Sequence, residues 1–268
     1  MESDIYKKEY SLTEIISAAL ALFRDNAATI LALTLLISVP VTLINIAASG
    51  IFSIDWMSDP SITPEEFSTL LSESMGDVIM SLLTLGAISV MLSFVSLLSS
   101  MALAFYVKSC LDGKKIDFST AYSRAFGRWP SAIWTSIIQA IILIFLFLLL
   151  IIPGVIYSVY WSFALYAVAL GGKSGKEALS YSKKIVQNRW WTVLGYAIVF
   201  GIIGFILTIP IVIALGFFRW ALTDPASSIA LDAASGILFS LAGSLTVVMQ
   251  IIFYLNCESN IKSAKKEY

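Results

Sequence analysis

No charged residue lies between Arg128 and Lys173. Drawn as one α-helix, the 44 intervening residues would extend about 66 Å, roughly twice the hydrocarbon core of a bilayer. Both flanks are basic. Lys and Arg collect on one side of a membrane, so this segment must cross and return. Pro153-Gly154 sits near its midpoint, and that dipeptide marks a turn. The expectation is a tight helical hairpin with almost no exposed loop.

The rest of the chain follows the same physics. Hydrophobic residues make up 58% of it and charged residues 13%, against about 25% charged in a soluble domain. Long apolar runs predict spans at 27–49, 77–108, 130–152, 154–172, 191–215 and 226–256. The second and sixth exceed the ~20 residues a bilayer needs, so they tilt, bend or project into water. The segments lack the two-residue alternation of barrel strands. In lipid the backbone must satisfy its own hydrogen bonds, which leaves helices. The fold class is all-α: a polytopic protein with six transmembrane helices in three hairpins, within one integral membrane domain over 1–268.

Orientation follows from charge. Sixteen of the 17 basic residues fall in 1–26, 108–128, 173–190 and the tail, and only Arg219 lies opposite. The positive-inside rule puts both termini in the cytoplasm. The 51–76 loop carries Asp55, Asp59, Glu65, Glu66 and Glu73 without Lys or Arg, which fits the outside. Within it Thr63, Pro64 and Glu66 predict a capped short helix. Met1–Tyr10 has no apolar core, so it is not a cleavable signal peptide. A net charge of −1 gives no nucleic-acid footprint. Cys110 and Cys257 fall near the cytoplasmic face and are expected as reduced thiols.

Three amphipathic segments precede spans. "SLTEIISAALALFRDN" at 11–26 opens with a capping box, Ser11 to Glu14. "DFSTAYSRAFGRWP" at 117–130 has Asp117 as its cap and ends in Arg128-Trp129. "SGKEALSYSKKIVQNRWW" at 174–191 opens with a Ser174–Glu177 box and ends in Arg189-Trp190-Trp191. In the last, Ala178, Leu179, Ser182, Ile185 and Val186 share a face, with Lys176, Lys183 and Lys184 elsewhere. Each segment leads to a span with a proline toward its end: Pro40, Pro153 and Pro210. The pattern reads as three degenerate repeats, 11–108, 117–172 and 174–257, each a cytoplasmic interfacial helix followed by a hairpin. Arg128, Trp129, Lys183, Lys184, Arg189 and Trp190 are placed as lipid-headgroup contacts.

The third segment and the span before it carry a resemblance. Pro153-Gly154, Trp161-Ser162-Phe163, Glu177-Ala178-Leu179, Ser182 and Arg189-Trp190 resemble the membrane domain attached to some bacterial glycerophosphodiester phosphodiesterases, and related stand-alone multi-span proteins of unknown function. Where that family usually has a proline and an acid, this chain reads "AVALGG" at 167–172. The resemblance implies a lipid-related membrane module. It does not bring the enzyme's activity, because the histidine-dependent barrel is missing and the chain has no histidine.

Acid–base or metal chemistry needs clustered His, Cys, Asp or Glu. No span carries an acid near mid-membrane, which argues against proton coupling. No phosphate loop or zinc spacing occurs, so no cofactor is expected. Arg219, Asp224 and Asp232 are expected to pair at the outer interface. The remaining polar signal is uncharged. Ser89, Ser93, Ser96 and Ser100 share one helical face, with Gln139 and Gln250 on other spans. Gly236, Ser240 and Ser244 are four apart, and Gly201 and Gly204 lie in the fifth span. Small residues so spaced either pack helices closely or line a polar cavity or headgroup site. Tyr157, Tyr160 and Trp161 stand on the fourth span, where they pack or flank an acyl chain. The expected function is non-enzymatic handling, binding or sensing of membrane lipid in a prokaryotic cytoplasmic membrane. The alternatives are a channel for a small neutral solute and a scaffold for a partner protein; a homo-oligomer is equally open.

Overall fold

The computed structural model describes residues 9–51, 61–222 and 224–264. Among the described residues every regular element is a helix, as backbone in lipid requires. In order they are α1 (Leu12–Ile51), α2 (Pro64–Glu73), α3 (Met75–Leu111), α4 (Phe118–Leu149), α5 (Ile151–Tyr160), α6 (Ala164–Ala169), α7 (Gly175–Val186), α8 (Trp190–Ala221) and α9 (Pro225–Ala264). Six stretches are long and apolar enough to cross a membrane: α1, α3, α4, α5 with α6, α8 and α9. The protein is an all-α polytopic membrane protein. Lys7, Lys8, Asp55, Asp59, Lys265 and Lys266 lie outside the described residues.

Caps start several helices where the sequence places them. The Ser11 N–H donates to Glu14 Oε2 at 2.8 Å and the Glu14 N–H to Ser11 Oγ at 3.4 Å. Thr63 and Glu66 form the same box, with Pro64 in the first turn. Asp117 accepts the Thr120 N–H at 3.3 Å. These bonds satisfy amide donors that a helix start leaves open. The Ser174–Glu177 box does not form. Ser174 makes no side-chain cap, and Glu177 pairs with Lys173 instead.

The amphipathic segments join their spans in three different ways. α1 kinks at Asn26, whose backbone leaves helical values (φ −133°, ψ 21°). α4 runs through Pro130 without a break, so 117–130 is not a separate helix. Only α7 stands apart. Pro40 and Pro210 lie inside α1 and α8 rather than near their ends. The α4–α5 reversal is also displaced from its expected position. The chain turns at Leu150, extended at φ −155° and ψ 119°, while Pro153 sits in the first turn of α5, where its missing N–H costs no helical bond. Gly154 serves close approach: a Cβ there would lie 2.6 Å from the Phe147 ring.

The packed core gathers toward one end of the bundle, which carries Lys108, Arg128, Lys173 and Arg189 and is called here the basic end. Met101–Ala104 of α3, Ala121 and Ala125 of α4, Ala167–Ala169 of α6 and Met249–Ile252 of α9 meet there, with only Gln250 turned outward. Toward the other end Leu82, Leu83, Phe145, Phe205 and Ile213 are exposed, the surface an apolar helix offers to acyl chains. The Leu33 carbonyl of α1 accepts hydroxyls from both Ser99 of α3 and Tyr122 of α4, using its second lone pair. Gly236 of α9 lets Thr42 of α1 approach to 2.6 Å of where a Cβ would stand, and Gly204 does the same for Thr246 at 3.2 Å. Gly201 faces open space. At the far end Arg219 pairs with Asp232, while Asp224 instead caps α9 through the Ser227 N–H at 2.9 Å. Cys110 and Cys257 are buried and unbridged.

Candidate functional site

The fourth span is not one helix. α5 ends at Tyr160, Trp161–Phe163 form a turn, and α6 follows. Such a break frees backbone groups from the helical ladder, and apolar surroundings make that costly. One side chain closes it. Ser182 of α7 donates its hydroxyl to the Tyr160 carbonyl at 2.7 Å and accepts the Phe163 N–H at 3.2 Å. The other end of α7 is fixed by α4, because the Gly175 N–H donates to Thr135 Oγ1 at 2.8 Å.

α7 therefore buries its apolar face against protein. Ala178, Leu179, Ser182, Ile185 and Val186 are all buried, and Lys176 and Lys184 are exposed, as the periodicity requires. The face that periodicity assigned to lipid is occupied by α4, α5, α6 and α9. Lys183 is held at the edge of this packing. Its Nζ lies 5.3 Å from the Tyr157 ring centroid and 5.4 Å from that of Tyr160, within cation–π range. Tyr157 meets Trp161 edge-on at 5.1 Å.

Tyr160 has a second role. With Ile152, Val155, Ile156, Trp190 and Trp191 it lines a groove of about 530 Å³ between α5 and the start of α8. Trp190 donates its indole N–H to the Ile156 carbonyl at 3.2 Å, which fixes one wall. Trp191 stacks edge-on against it and is 78% exposed. The groove is apolar and opens outward, and a cation sits beside one of its lining rings.

Residues 78–257 match the family model for DUF7847, a domain of unknown function. The chain belongs to the DUF7847 family. The match begins in the first turn of α3 and includes every residue that lines the groove. No curated protein and no solved structure matches the chain.

In this DUF7847 protein the other residues singled out by sequence divide sharply. Ser89 and Ser93 are exposed, and Ser93 and Ser96 bond carbonyls of their own helix, Val90 and Leu92. The serine face is thus not a closed seam at its first two positions; Ser96 and Ser100 are half-buried. Gln139 is half-buried on α4, and Gln250 accepts from the buried Tyr166 hydroxyl at 3.1 Å. Arg128 donates to the Val168 carbonyl at 3.0 Å and lies 2.8 Å from where a Cβ on Gly172 (φ 67°) would stand. Trp129 donates to the Phe94 carbonyl at 2.8 Å, and Arg189 pairs with Glu9. Arg128, Trp129, Arg189 and Trp190, expected at lipid headgroups, each also have a protein partner.

Sequence reasoning missed Thr135 and Glu258. Thr135 is one hydroxyl in an apolar run, and nothing local marks it. Glu258 is buried at the end of α9 and accepts the Tyr181 hydroxyl at 2.7 Å. That phenol is held well above its usual range, first by burial and then by the carboxylate. The acid in "LNCESN" was the available signal. No group of three or more metal-binding side chains occurs among the described residues.

Proposed function

We propose that this DUF7847 protein is a non-enzymatic lipid-binding protein of a prokaryotic cytoplasmic membrane, with both termini inside. One acyl chain of a membrane phospholipid lies in the α5–α8 groove, and Lys183 meets the phosphate of its headgroup. The observation that carries this reading is the double use of Tyr160, which lines the apolar groove and lies under the Lys183 ammonium. An apolar slot continuous with one cation matches an amphipathic anion. The resemblance to lipid-enzyme membrane domains supports the same class of ligand. The channel reading has less support, because an enclosed polar path along the serine face would need Ser89 and Ser93 inside the bundle.

The repeat reading gains a specific parallel. Trp129 within α4 and Trp190 at the start of α8 each donate to a carbonyl of an earlier helix, at sequence separations of 35 and 34 residues. We read this as the second and third repeats docking alike onto their predecessors.

A photoreactive-acyl phosphatidylglycerol tests the groove. Cross-linking is expected at Val155 and at Trp191 and is expected to fall several-fold when Ile156→Trp fills the slot. Equal labelling at Phe205, an exposed residue away from the groove, with no effect of Ile156→Trp, would leave only bulk lipid contact. Thiol reagents applied outside should reach a cysteine at Thr63 and miss one at Lys176; the reverse pattern would invert the orientation.

A further inference from the structure

A second cavity, of about 270 Å³, opens at the basic end between α3, α4 and the end of α6. Its lining includes Lys108, Lys114, Arg124 and one acid, Asp112, over an apolar floor of Phe105 and Leu170. Backbone order brings the three cations together. α3 ends at Leu111, and Gly113 in the left-handed region (φ 69°) turns the chain. The Lys114 N–H then donates to the Ser109 carbonyl at 2.9 Å, and the Ile116 N–H to Ser109 Oγ at 3.4 Å. Those bonds return Lys114 beside Lys108, which is half-buried. The Asp117 cap starts α4, and Arg124 follows on its second turn.

This cavity gathers three cations around one acid. Arg24, Lys173, Arg189 and Arg219 are each paired with a carboxylate. Among the described residues Lys108, Lys114 and Arg124 have no such ion pair, although they surround one space. We propose that this cavity is an anion site for a phosphate group, held by Lys108, Lys114 and Arg124 above the Phe105–Leu170 floor. Two ammonium groups supply point charge, and the guanidinium supplies two parallel donors to phosphate oxygens. The ligand is the phosphate of a phospholipid headgroup or of a free phosphate compound. α5 and α8 contribute nothing to the cavity, so this site stands or falls apart from the groove.

The test uses the full-length protein in detergent, titrated with phosphatidylglycerol or phosphatidylcholine and read by native mass spectrometry at low salt. Lys108→Gln/Lys114→Gln is compared with Lys115→Gln/Lys176→Gln, which removes equal charge from exposed positions outside the cavity. A cation near an anionic membrane surface is worth about fivefold in affinity, so the cavity pair is expected to lose phosphatidylglycerol about thirtyfold and the outer pair less than about threefold. Lys114→Gln alone, in the exposed turn, should lose about fivefold and carries the comparison if the pair does not fold. Arg124→Lys keeps the charge and loses the fork, and should fall between wild type and Arg124→Gln. Displacement by millimolar inorganic phosphate would assign the site to a soluble phosphate compound, and lack of displacement to the headgroup. Equal losses in the two pairs, or a wild-type protein that binds neither phosphatidylglycerol over phosphatidylcholine nor phosphate, would overturn the site.

Discussion

The hydroxyl of Ser182 donates to the carbonyl of Tyr160 at 2.7 Å, across 22 residues of sequence. Through that bond α7 becomes part of the membrane bundle, since the same oxygen also accepts the Phe163 amide and closes the break in the fourth span. A buried polar group left without a partner costs about 1–3 kcal/mol. Ser182→Ala opens two, so a loss of about 2–6 kcal/mol is expected. Ser180→Ala, at an exposed position on the same helix, should change little. Thermal midpoints in detergent measure the difference, and equal midpoints for the two variants would show that something else satisfies the break.

That bond also marks the limit of what periodicity can reveal. The apolar face of α7, the six long apolar stretches and two of three capping boxes are local properties, and 3.6-residue spacing and cap chemistry expose them. The partner of that face is a tertiary matter. A helix with Ala178, Ile185 and Val186 on one side and lysines on the other looks the same whether it lies on lipid or on α4 and α6. The turn at Leu150 shows a related ambiguity. Pro153-Gly154 is a turn dipeptide, but proline is equally at home in the first turn of a helix, and glycine where a ring packs. The Tyr157–Tyr160–Trp161 cluster was legible as a group. Its junction with Lys183 needed the reversal of the chain between α6 and α7.

The serine face of α3 gives a second expectation. Ser93 is exposed and bonds its own helix, whereas Ser99 reaches the Leu33 carbonyl of α1 at 3.3 Å. Ser93→Leu should be tolerated, with stability within about 0.5 kcal/mol of wild type. Ser99→Leu places bulk at the α1–α3–α4 junction, and overpacking there should cost about 1–3 kcal/mol. Chemical unfolding in mixed micelles reads both. A larger loss at Ser93 than at Ser99 would mean that the outer part of α3 packs against another protein surface.

Gly154 of α5 lies against the Phe147 ring of α4. A methyl group at Gly154 would meet the ring at 2.6 Å, so the ring must swing outward. Phe147 is 42% exposed and has room to do so. Gly154→Ala should therefore cost only about 1 kcal/mol, at the lower end of overpacking penalties. Phe147→Ala should remove most of that penalty, giving a coupling between the two positions in a double-mutant cycle. Additive effects would place the ring elsewhere.

Asp117 offers a pH dependence with a defined sign. Its carboxylate caps α4, and hydrogen bonds from the Thr120 hydroxyl, then from the Thr120 amide, hold it below the usual carboxylate range. In the unfolded chain the same group titrates near about 3.9. A folded value below the unfolded one means that the unfolded state binds the proton first as pH falls. The stabilisation is then complete above the unfolded value and disappears as pH drops through the folded value. Asp224 at the start of α9 and Glu66 in α2 are lowered for the same reason and act in the same direction. Asp117→Asn keeps an acceptor for the Thr120 amide and removes the titration. The thermal midpoint of wild type should exceed that of Asp117→Asn at pH 7, and the gap should close in the window below about pH 4, as the cap becomes neutral. Parallel curves across that window would show that α4 starts without help from the Asp117 charge.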